Sequence, residues 1–505
     1  MNQGVLIYNA RLLDESIDSP GAILIVNKKI RAVFQGYFTS VKTAEEMAKT
    51  ILKEDGIEES CSLELFNANN LTVTPAFIDM HVHLRYPGQI QKEDLSSGLK
   101  AAAAGGFGTV VAMPNTNPVV SSMELAKQIE KEAASIGLTH LFQSVSITKD
   151  FDGKNTNHLA DVEREYVPLI TEDGKDVLSS AAMLSAMMTA SIKGLIVGCH
   201  CEDPTLAEYA RGFRRDALDV MQKYGISYSD SEISGVSEEE AQKIGGDIDI
   251  SLTLANEILA LAEDLATERN IMLAKNAECH IHLAHVSTAN SINAIRAAKN
   301  EILDEMADLQ ATNADNSYFD FFEKAKASSG EQGKSNFVVT CEVTPHHLAL
   351  CGTESPFIRY LVNPPLRSED DRIALLEALR DGTVDVISTD HAPHTISEKL
   401  DGAPGFTGLE TAFGICNTVL VLQNQFSPKR LSQLMSANPA RILGLKKGLL
   451  SVGYDADLTL FDSEEEWNVE PEEFYSKGKV TPFEDITLTG KVKGLFIDGR
   501  LVFEK

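Results

Sequence analysis

Short, continuous apolar runs alternate with helical stretches through the middle of this 505-residue chain, and this alternation restricts the fold more than any other feature. The runs include 109–113, 194–198 and 384–388, and the Ala- and Leu-rich helical stretches include 98–104 and 373–379. Uninterrupted apolar strands joined by helices indicate a parallel sheet that is covered on both faces. At this length a (β/α)8 TIM-like barrel is the predicted closure, with its functional site at the carboxyl ends of the strands.

Both ends of the chain have a different pattern. They alternate like β-hairpins, with turn sequences at Asn27–Lys28 and Asp498–Gly499. The sequence therefore predicts an α/β protein in two parts. The predicted parts are a small β-sandwich domain from residues 1–71 and 441–505, and a barrel over 72–440 with insertions near 205–275 and 304–336.

The composition restricts the class of protein. Apolar residues make up 43% and charged residues 24%, as in a packed globular protein. The formal net charge of −29 argues against a surface for nucleic acid or anionic membranes, since both need positive charge. The seven cysteines are scattered and odd in number, which favours a reducing compartment. With no signal peptide and no apolar run long enough to span a bilayer, we predict a cytoplasmic protein.

Histidines and one aspartate follow several of the apolar runs. His81 and His83 are two residues apart on a predicted strand, so their imidazoles point to the same face. His200 and His285 each follow another run, and either one alone is as compatible with an ordinary core histidine. Asp390 also ends a run, where burying a carboxylate is costly unless it is paired or bound to metal. Together these residues predict a metal site.

The ligand types narrow the choice of metal. Nitrogen and carboxylate donors fit Zn²⁺, with Co²⁺ and Mn²⁺ as alternatives. Cys199 and Cys201 flank His200, but on a strand they point to the opposite face. We interpret both cysteines as packing residues.

Several longer strings around these residues resemble the dihydroorotases of the amidohydrolase superfamily. The resemblance covers most of the chain outside the two presumed insertions. The strings that carry it occur in the family's order, and they lie at residues 75–85, 113–116, 343–347, 363–367, 389–394 and 453–458.

The resemblance implies two zinc ions per subunit. His81, His83 and Asp390 would hold the first ion, and His200 and His285 the second. In the branch most similar to this chain an aspartate bridges the metals, and the matching position is Asp173. The residue pattern alone favours an Asp–Gly turn at that position. Glu172 and a carboxylated Lys175 are the alternative bridging groups.

The resemblance also implies the substrate-binding residues. Arg85, Asn115 and His394 would hold a substrate carboxylate, and Asn363 the pyrimidine ring. An arginine is a suitable partner for a carboxylate, and the even spacing of Arg85 from His83 places both in one cleft. The chain departs from the family at Tyr86 and in the 402–406 loop, which leaves substrate affinity and loop closure open.

The activity implied by the resemblance is the zinc-dependent, reversible hydrolysis of L-dihydroorotate to N-carbamoyl-L-aspartate in de novo pyrimidine (UMP) biosynthesis. Asp390 would accept a proton from the attacking water and deliver it to the departing amide nitrogen. A hydantoinase or allantoinase is one alternative, and an inactive homologue that acts as a scaffold is another. A homo-oligomer is expected, and so is possible association with aspartate transcarbamoylase.

Overall fold

The structure is a computed structural model that describes residues 2–37, 40–57, 60–309, 337–352 and 356–505. Strands from both ends of the chain form one eight-stranded sheet in the order β16-β15-β14-β5-β1-β2-β3, with β4 also paired to β1. Its strands are β1 (Asn2–Leu13), β2 (Asp18–Val26), β3 (Lys29–Gln35), β4 (Cys61–Asn67), β5 (Thr72–Pro75), β14 (Leu458–Asn468), β15 (Thr487–Ile497) and β16 (Arg500–Glu504).

The predicted turns at Asn27–Lys28 and Asp498–Gly499 connect neighbouring antiparallel strands of this sheet. β5 lies between β1 and β14 and therefore joins the two ends of the chain. The division into domains at residues 71 and 441 stays a prediction.

Eight parallel strands form the central part of the fold. They are β6 (Phe77–Val82), β7 (Phe107–Ala112), β8 (His140–Gln143), β9 (Leu169–Thr171), β10 (Ile196–Cys199), β11 (His280–Leu283), β12 (Val338–Val343) and β13 (Val386–Ile387). They pair as a three-stranded sheet, β6 to β8, and a five-stranded sheet, β9 to β13.

Single parallel bridges connect the edges of these two sheets. Val145, just after β8, bridges to Ile170 in β9, and Val82 in β6 bridges to His391 after β13. The amide of His83 also donates to the carbonyl of His391 at 2.8 Å. The eight strands thus follow one another around a ring, which matches the predicted barrel type.

Helix 41–54 packs on the sheet formed by the chain ends, and other helices cover the parallel strands, as the alternating pattern predicts. They are α1 (Val41–Glu54), α2 (Leu95–Ala104), α3 (Met123–Ile136), α4 (Ser180–Lys193), α5 (Pro204–Lys223), α6 (Glu238–Ala277), α7 (Ala289–Leu309), α8 (Pro345–Ala349), α9 (Phe357–Tyr360), α10 (Glu369–Asp381), α11 (Ile396–Leu400), α12 (Ala412–Cys416), α13 (Pro428–Ser432) and α14 (Asn438–Leu443). Short 3-10 turns lie at Lys149–Phe151, Asn157–Asp161 and Pro471–Glu473, and π turns at Asn417–Gln423 and Gln433–Ala437. Among the described helices, none is both long and apolar enough to cross a membrane.

The stretch predicted as an insertion near 205–275 is a pair of packed helices, α5 and α6. Asp203 starts α5 because its carboxylate accepts hydrogen bonds from the amides of Thr205 and Leu206. This cap places the helix directly after His200. Of the second predicted insertion, near 304–336, residues 310–336 lie outside the described part of the chain.

Candidate metal centre and substrate site

The candidate metal ligands lie together at the carboxyl ends of the barrel strands. Each follows or ends a buried strand of the barrel, at the end of the strands where functional sites of this architecture lie. The residues are His81 and His83 at the end of β6, Asp173 after β9, His200 after β10, His285 after β11 and Asp390 after β13.

Two groups of potential ligand atoms meet at this place. In one group His81, His83 and Asp390 have ligand atoms within 4.8 Å of one another, and in the other His81, Asp173 and His285 do. Asp390 Oδ1 is 3.2 Å from His83 Nε2 and 3.6 Å from His81 Nε2. The groups share His81 and are therefore parts of one centre.

Asp173 lies between the two groups. Its Oδ1 is 3.3 Å from His81 Nε2, 3.3 Å from His200 Nδ1 and 3.5 Å from His285 Nε2. Its Oδ2 is 3.2 Å from His83 Nε2. One carboxylate thus contacts all four histidines.

The two alternative bridging groups point elsewhere. Glu172 accepts hydrogen bonds from the amide and hydroxyl of Thr148, the amide at 2.7 Å. Lys175 is exposed. Of the three candidates, the structure brings only Asp173 to the histidines.

Outer hydrogen bonds orient the first two imidazoles. His81 Nδ1 is 2.8 Å from Glu342 Oε1, and His83 Nδ1 is 2.9 Å from Asn115 Oδ1. Because the partner atoms are acceptors, Nδ1 of each ring donates, and this directs Nε2 toward the centre. This arrangement of a ligand histidine and an outer acceptor is common around metals.

The charge distribution favours carboxylates at the centre. Burial by itself would raise the pKa of Asp173, but the positive charge of His81 and the close approach of the other histidines hold that pKa well below its usual range. Burial also opposes ionisation of Asp390, and a hydrogen bond with His83 again lowers its pKa. Both side chains are therefore anionic at neutral pH.

The described residues fit divalent metal ions. His81 Nε2 and Asp173 Oδ1 are buried at the centre without a hydrogen-bond partner in the described part of the chain. Nitrogen and carboxylate donors of this kind suit zinc. Cys199 and Cys201 lie outside both groups, and their thiols face the backbone carbonyls of Val197 and Cys199.

Three non-glycine residues of the site have left-handed backbone conformations. The φ angles are +32° at His285, +48° at Asp390 and +56° at Arg85. Such conformations cost about 1–3 kcal/mol each and occur at functional sites, where the surrounding structure enforces them. They turn each side chain toward the barrel mouth immediately after its strand.

The predicted substrate residues lie on two sides of the metal centre. Arg85 Nη2 is 3.0 Å from His394 Nε2, and Asn115 lies against His83 on the same side. Asn363 lies beside His200 instead, where its Nδ2 donates to Glu202 Oε2 at 2.6 Å.

Residues missing from the sequence prediction complete the site. Glu342 holds His81 and also lies 3.1 Å from His282 Nε2. Glu202 connects His200 to Asn363, and Lys92 Nζ lies 3.4 Å from His394 Nδ1. Of these residues, only Glu342 could have been recognised from the sequence. It is an acid inside the apolar run of β12, and a carboxylate is costly to bury there without a partner.

Comparison with known proteins agrees with this fold. A model of the amidohydrolase family matches residues 72–502. The chain therefore belongs to the amidohydrolase family. Its curated relatives include the dihydroorotase of Clostridium botulinum (strain Eklund 17B / Type B), which is 34% identical over 99% of this chain and 100% of that protein. Another is the dihydroorotase of Bacillus subtilis (strain 168), which is 34% identical over 87% of this chain and 89% of that protein.

Solved structures with the same fold include hydantoinases. The L-hydantoinase (dihydropyrimidinase) from Arthrobacter aurescens has a TM-score of 0.73 at 21% identity, over 99% of this chain and 96% of that one. The dihydropyrimidinase from Brevibacillus agri NCHU1002 has a TM-score of 0.71 at 19% identity, over 100% and 95%. At these identities the similarity concerns the fold alone.

Proposed function

We propose that this chain is a dihydroorotase, which hydrolyses L-dihydroorotate reversibly to N-carbamoyl-L-aspartate in de novo pyrimidine (UMP) biosynthesis. One observation carries the proposal: the buried Arg85–His394 pair lies beside the centre formed by His81, His83 and Asp390. Such a site pairs a carboxylate-binding group with hydrolytic machinery. The curated relatives named dihydroorotase support the same activity.

We assign two zinc ions to the centre. His81, His83 and Asp390 would hold the first, and His200 and His285 the second. Asp173 would contribute to both, since one of its oxygens faces His81 and His200 and the other faces His83. Bound there, the ions would polarise the ring carbonyl and activate the attacking water. Zinc and the number of ions are open to direct metal analysis.

The substrate lies across the centre in this proposal. Arg85 and His394 bind its carboxylate, with Asn115 at the same end and Asn363 beside the ring. Arg85 is almost fully buried, and its Nε donates to the Pro393 carbonyl at 3.2 Å, which aims the guanidinium. A buried, oriented guanidinium is a strong and specific carboxylate partner.

Asp390 transfers the proton. Its carboxylate is anionic at neutral pH and faces the centre, so it accepts a proton from the attacking water. It then delivers that proton to the departing amide nitrogen, and ring closure follows the same steps in reverse.

A hydantoinase or allantoinase is the alternative enzyme, and the solved structures of similar fold include hydantoinases. The Arg85–His394 pair favours a substrate that carries its own carboxylate. Rates with dihydroorotate, hydantoin and allantoin decide between these substrates. An inactive scaffold is the other alternative, and the complete set of candidate ligands argues against it.

The test is dihydroorotate hydrolysis before chelation, after chelation and after addition of zinc. We expect activity in the native protein, its loss with the metal, and its return with zinc. If both the native and the zinc-restored protein are inactive, the proposal is wrong.

We further propose a cytoplasmic homo-oligomer. The cysteines form no disulfide in the described part of the chain, which supports a reducing compartment. Helix α6 exposes five large apolar side chains at spacings that place them on one face: Ile250, Leu254, Leu261, Leu265 and Met272. We propose a second copy of the chain as the partner of this face, and association with aspartate transcarbamoylase as a further hypothesis.

A further inference from the structure

His394 lies between two cationic side chains. Arg85 Nη2 is 3.0 Å from its Nε2, and Lys92 Nζ is 3.4 Å from its Nδ1. The Lys92 side chain is 15% exposed and is also 3.3 Å from Glu398 Oε1. Glu398 Oε2 in turn is 3.6 Å from His394 Nδ1. Nothing in the proposed reaction uses Lys92 or Glu398.

His394 cannot accept hydrogen bonds from Arg85 and Lys92 at the same time. Burial and the charges of Arg85 and Lys92 lower the pKa of His394 to about 2, so the ring is neutral. A neutral imidazole has one N–H and one lone pair, whereas arginine and lysine only donate. The ring accepts from one cation at a time, and its other nitrogen then presents an N–H to the second.

Without substrate, the shorter of the two contacts indicates that Arg85, rather than Lys92, donates to His394. Its guanidinium donates to the Nε2 lone pair, which leaves the proton on Nδ1 on the side of Glu398. A substrate carboxylate changes this balance. It takes the Arg85 guanidinium, and it needs a donor at His394 Nε2. The proton must then be on Nε2 and the lone pair on Nδ1, facing Lys92.

We propose that Lys92 is a positioning residue for substrate binding, which selects the Nε2–H form of His394 by donating to its Nδ1 when a substrate carboxylate occupies the Arg85 side. The inference rests on the proposed function, since it assigns that carboxylate to Arg85 and His394. Glu398 keeps Lys92 in reach: its Oε2 accepts from the Thr395 amide at 3.0 Å, which fixes the carboxylate at the start of α11.

Steady-state kinetics of Lys92→Met, Lys92→Arg and wild type with L-dihydroorotate test the proposal. Methionine keeps the length of the stem but removes the donor, so we expect KM to rise about ten-fold with kcat within two-fold. A tenfold change corresponds to about 1.4 kcal/mol. Lys92→Arg should restore KM. The control is Lys100→Met, at an exposed lysine on α2, which should leave both constants unchanged.

An unchanged KM in Lys92→Met would overturn the proposal. An equally large rise of KM in Lys92→Arg would also overturn it. A wild type without dihydroorotate activity would instead refute the proposed function.

A second experiment determines by NMR which nitrogen of His394 carries the proton. It uses the wild-type protein, so its result does not depend on whether the Lys92 variants fold. In ¹⁵N-imidazole NMR with bound orotate, a planar pyrimidine carboxylate, we expect His394 to be protonated on Nε2. The signal is assigned by its loss in His394→Gln, and protonation on Nδ1 in the complex contradicts the inference.

Discussion

Individual residues of the site have backbone conformations and contacts that depend on the residues packed around them in the folded protein. Asp390 combines a left-handed backbone with a carboxylate held against two histidines. Gly174 follows Asp173 directly, has φ of +81°, and leaves no room for a side chain near Asn115. At this scale, the proposed function depends on a proton acceptor, Asp390, and on a close approach of the Gly174 backbone to Asn115.

Replacing Asp390 with Asn tests the proton transfer. Asn keeps an oxygen at the centre but does not accept a proton, so we expect kcat to fall by about 10²–10⁴-fold in both reaction directions. Steady-state kinetics and metal analysis of the same samples measure this. Near-normal turnover with metal bound would contradict the role of Asp390.

The close approach at Gly174 is tested by Gly174→Ala. An added Cβ would lie 2.8 Å from Asn115 Nδ2, so Asn115 must move. The matched control is Gly153→Ala, because Gly153 has φ of +70° but nothing within 4 Å of the added atom. Both variants should lose about 1–2 kcal/mol of unfolding free energy from the backbone conformation. Only Gly174→Ala should also raise KM for dihydroorotate, and equal kinetics in the two variants would exclude a role for this contact.

At the scale of the element, helix α11 and the loop after it are held by a buried lysine. Lys399 is fully buried, and its Nζ donates to the carbonyls of Leu361 at 2.6 Å and Gly405 at 3.1 Å. These bonds connect the 402–406 loop to the segment that carries Asn363. The 402–406 loop, whose sequence departs from the family pattern, is therefore held in place by the Lys399 side chain.

Lys399 predicts a pH dependence of stability. Burial, and then the charge of Arg214, lowers the pKa of Lys399 to about 7, whereas an unfolded lysine has a pKa of about 10.4. Between these values the unfolded chain binds more protons, so the unfolding free energy rises with pH from about 7 to about 10, by roughly 4 kcal/mol at most. Denaturant unfolding at several pH values should show this rise in the wild type and not in Lys399→Met. The same slope in both proteins would contradict the assignment.

The elements themselves were largely predictable. The apolar runs at 109–113 and 194–198 overlap β7 and β10, and the helical stretches at 98–104 and 373–379 lie within α2 and α10. The 384–388 run contains a strand of only two residues, β13. Beyond β13 the chain leaves regular pairing and contacts β6 through a single bridge, and this places Asp390 beside His83. Local sequence does not encode such closure, because it depends on strands about 300 residues apart.

At the scale of the whole molecule, the apolar face of α6 is the most specific indication of an oligomer. Its five side chains are 40–67% exposed and extend from residue 250 to 272, or about 33 Å of helix. The neighbouring helix α4 also exposes two apolar side chains, Met188 and Ile192. A row of apolar side chains of this length is typical of a protein interface.

The variant Leu261→Glu/Leu265→Glu tests this face. Four acidic side chains at the seam of two copies are costly to desolvate, so we expect the oligomer to dissociate while each chain stays folded. Light scattering gives the mass, and circular dichroism verifies the fold. The control is Leu422→Glu, at an exposed leucine elsewhere. An unchanged oligomer, or a wild-type monomer, would exclude this interface, and a larger assembly with added aspartate transcarbamoylase would support that association.

The sequence by itself determined the fold class and most strands and helices of the barrel, and it predicted the residues of the candidate metal centre. Apolar periodicity and residue type are local properties, and they directly reflect burial and the kind of ligand that each side chain offers. The tertiary structure decided which candidate bridging group reaches the histidines, since Glu172, Asp173 and Lys175 are neighbours in the chain and only Asp173 faces the centre. It also decided that Glu342 meets His81, that Glu202 meets Asn363 and that Lys92 meets His394, because the two residues of each pair are far apart in the chain. Which side chains meet depends on how the ring of strands closes, and closure is a property of the whole chain.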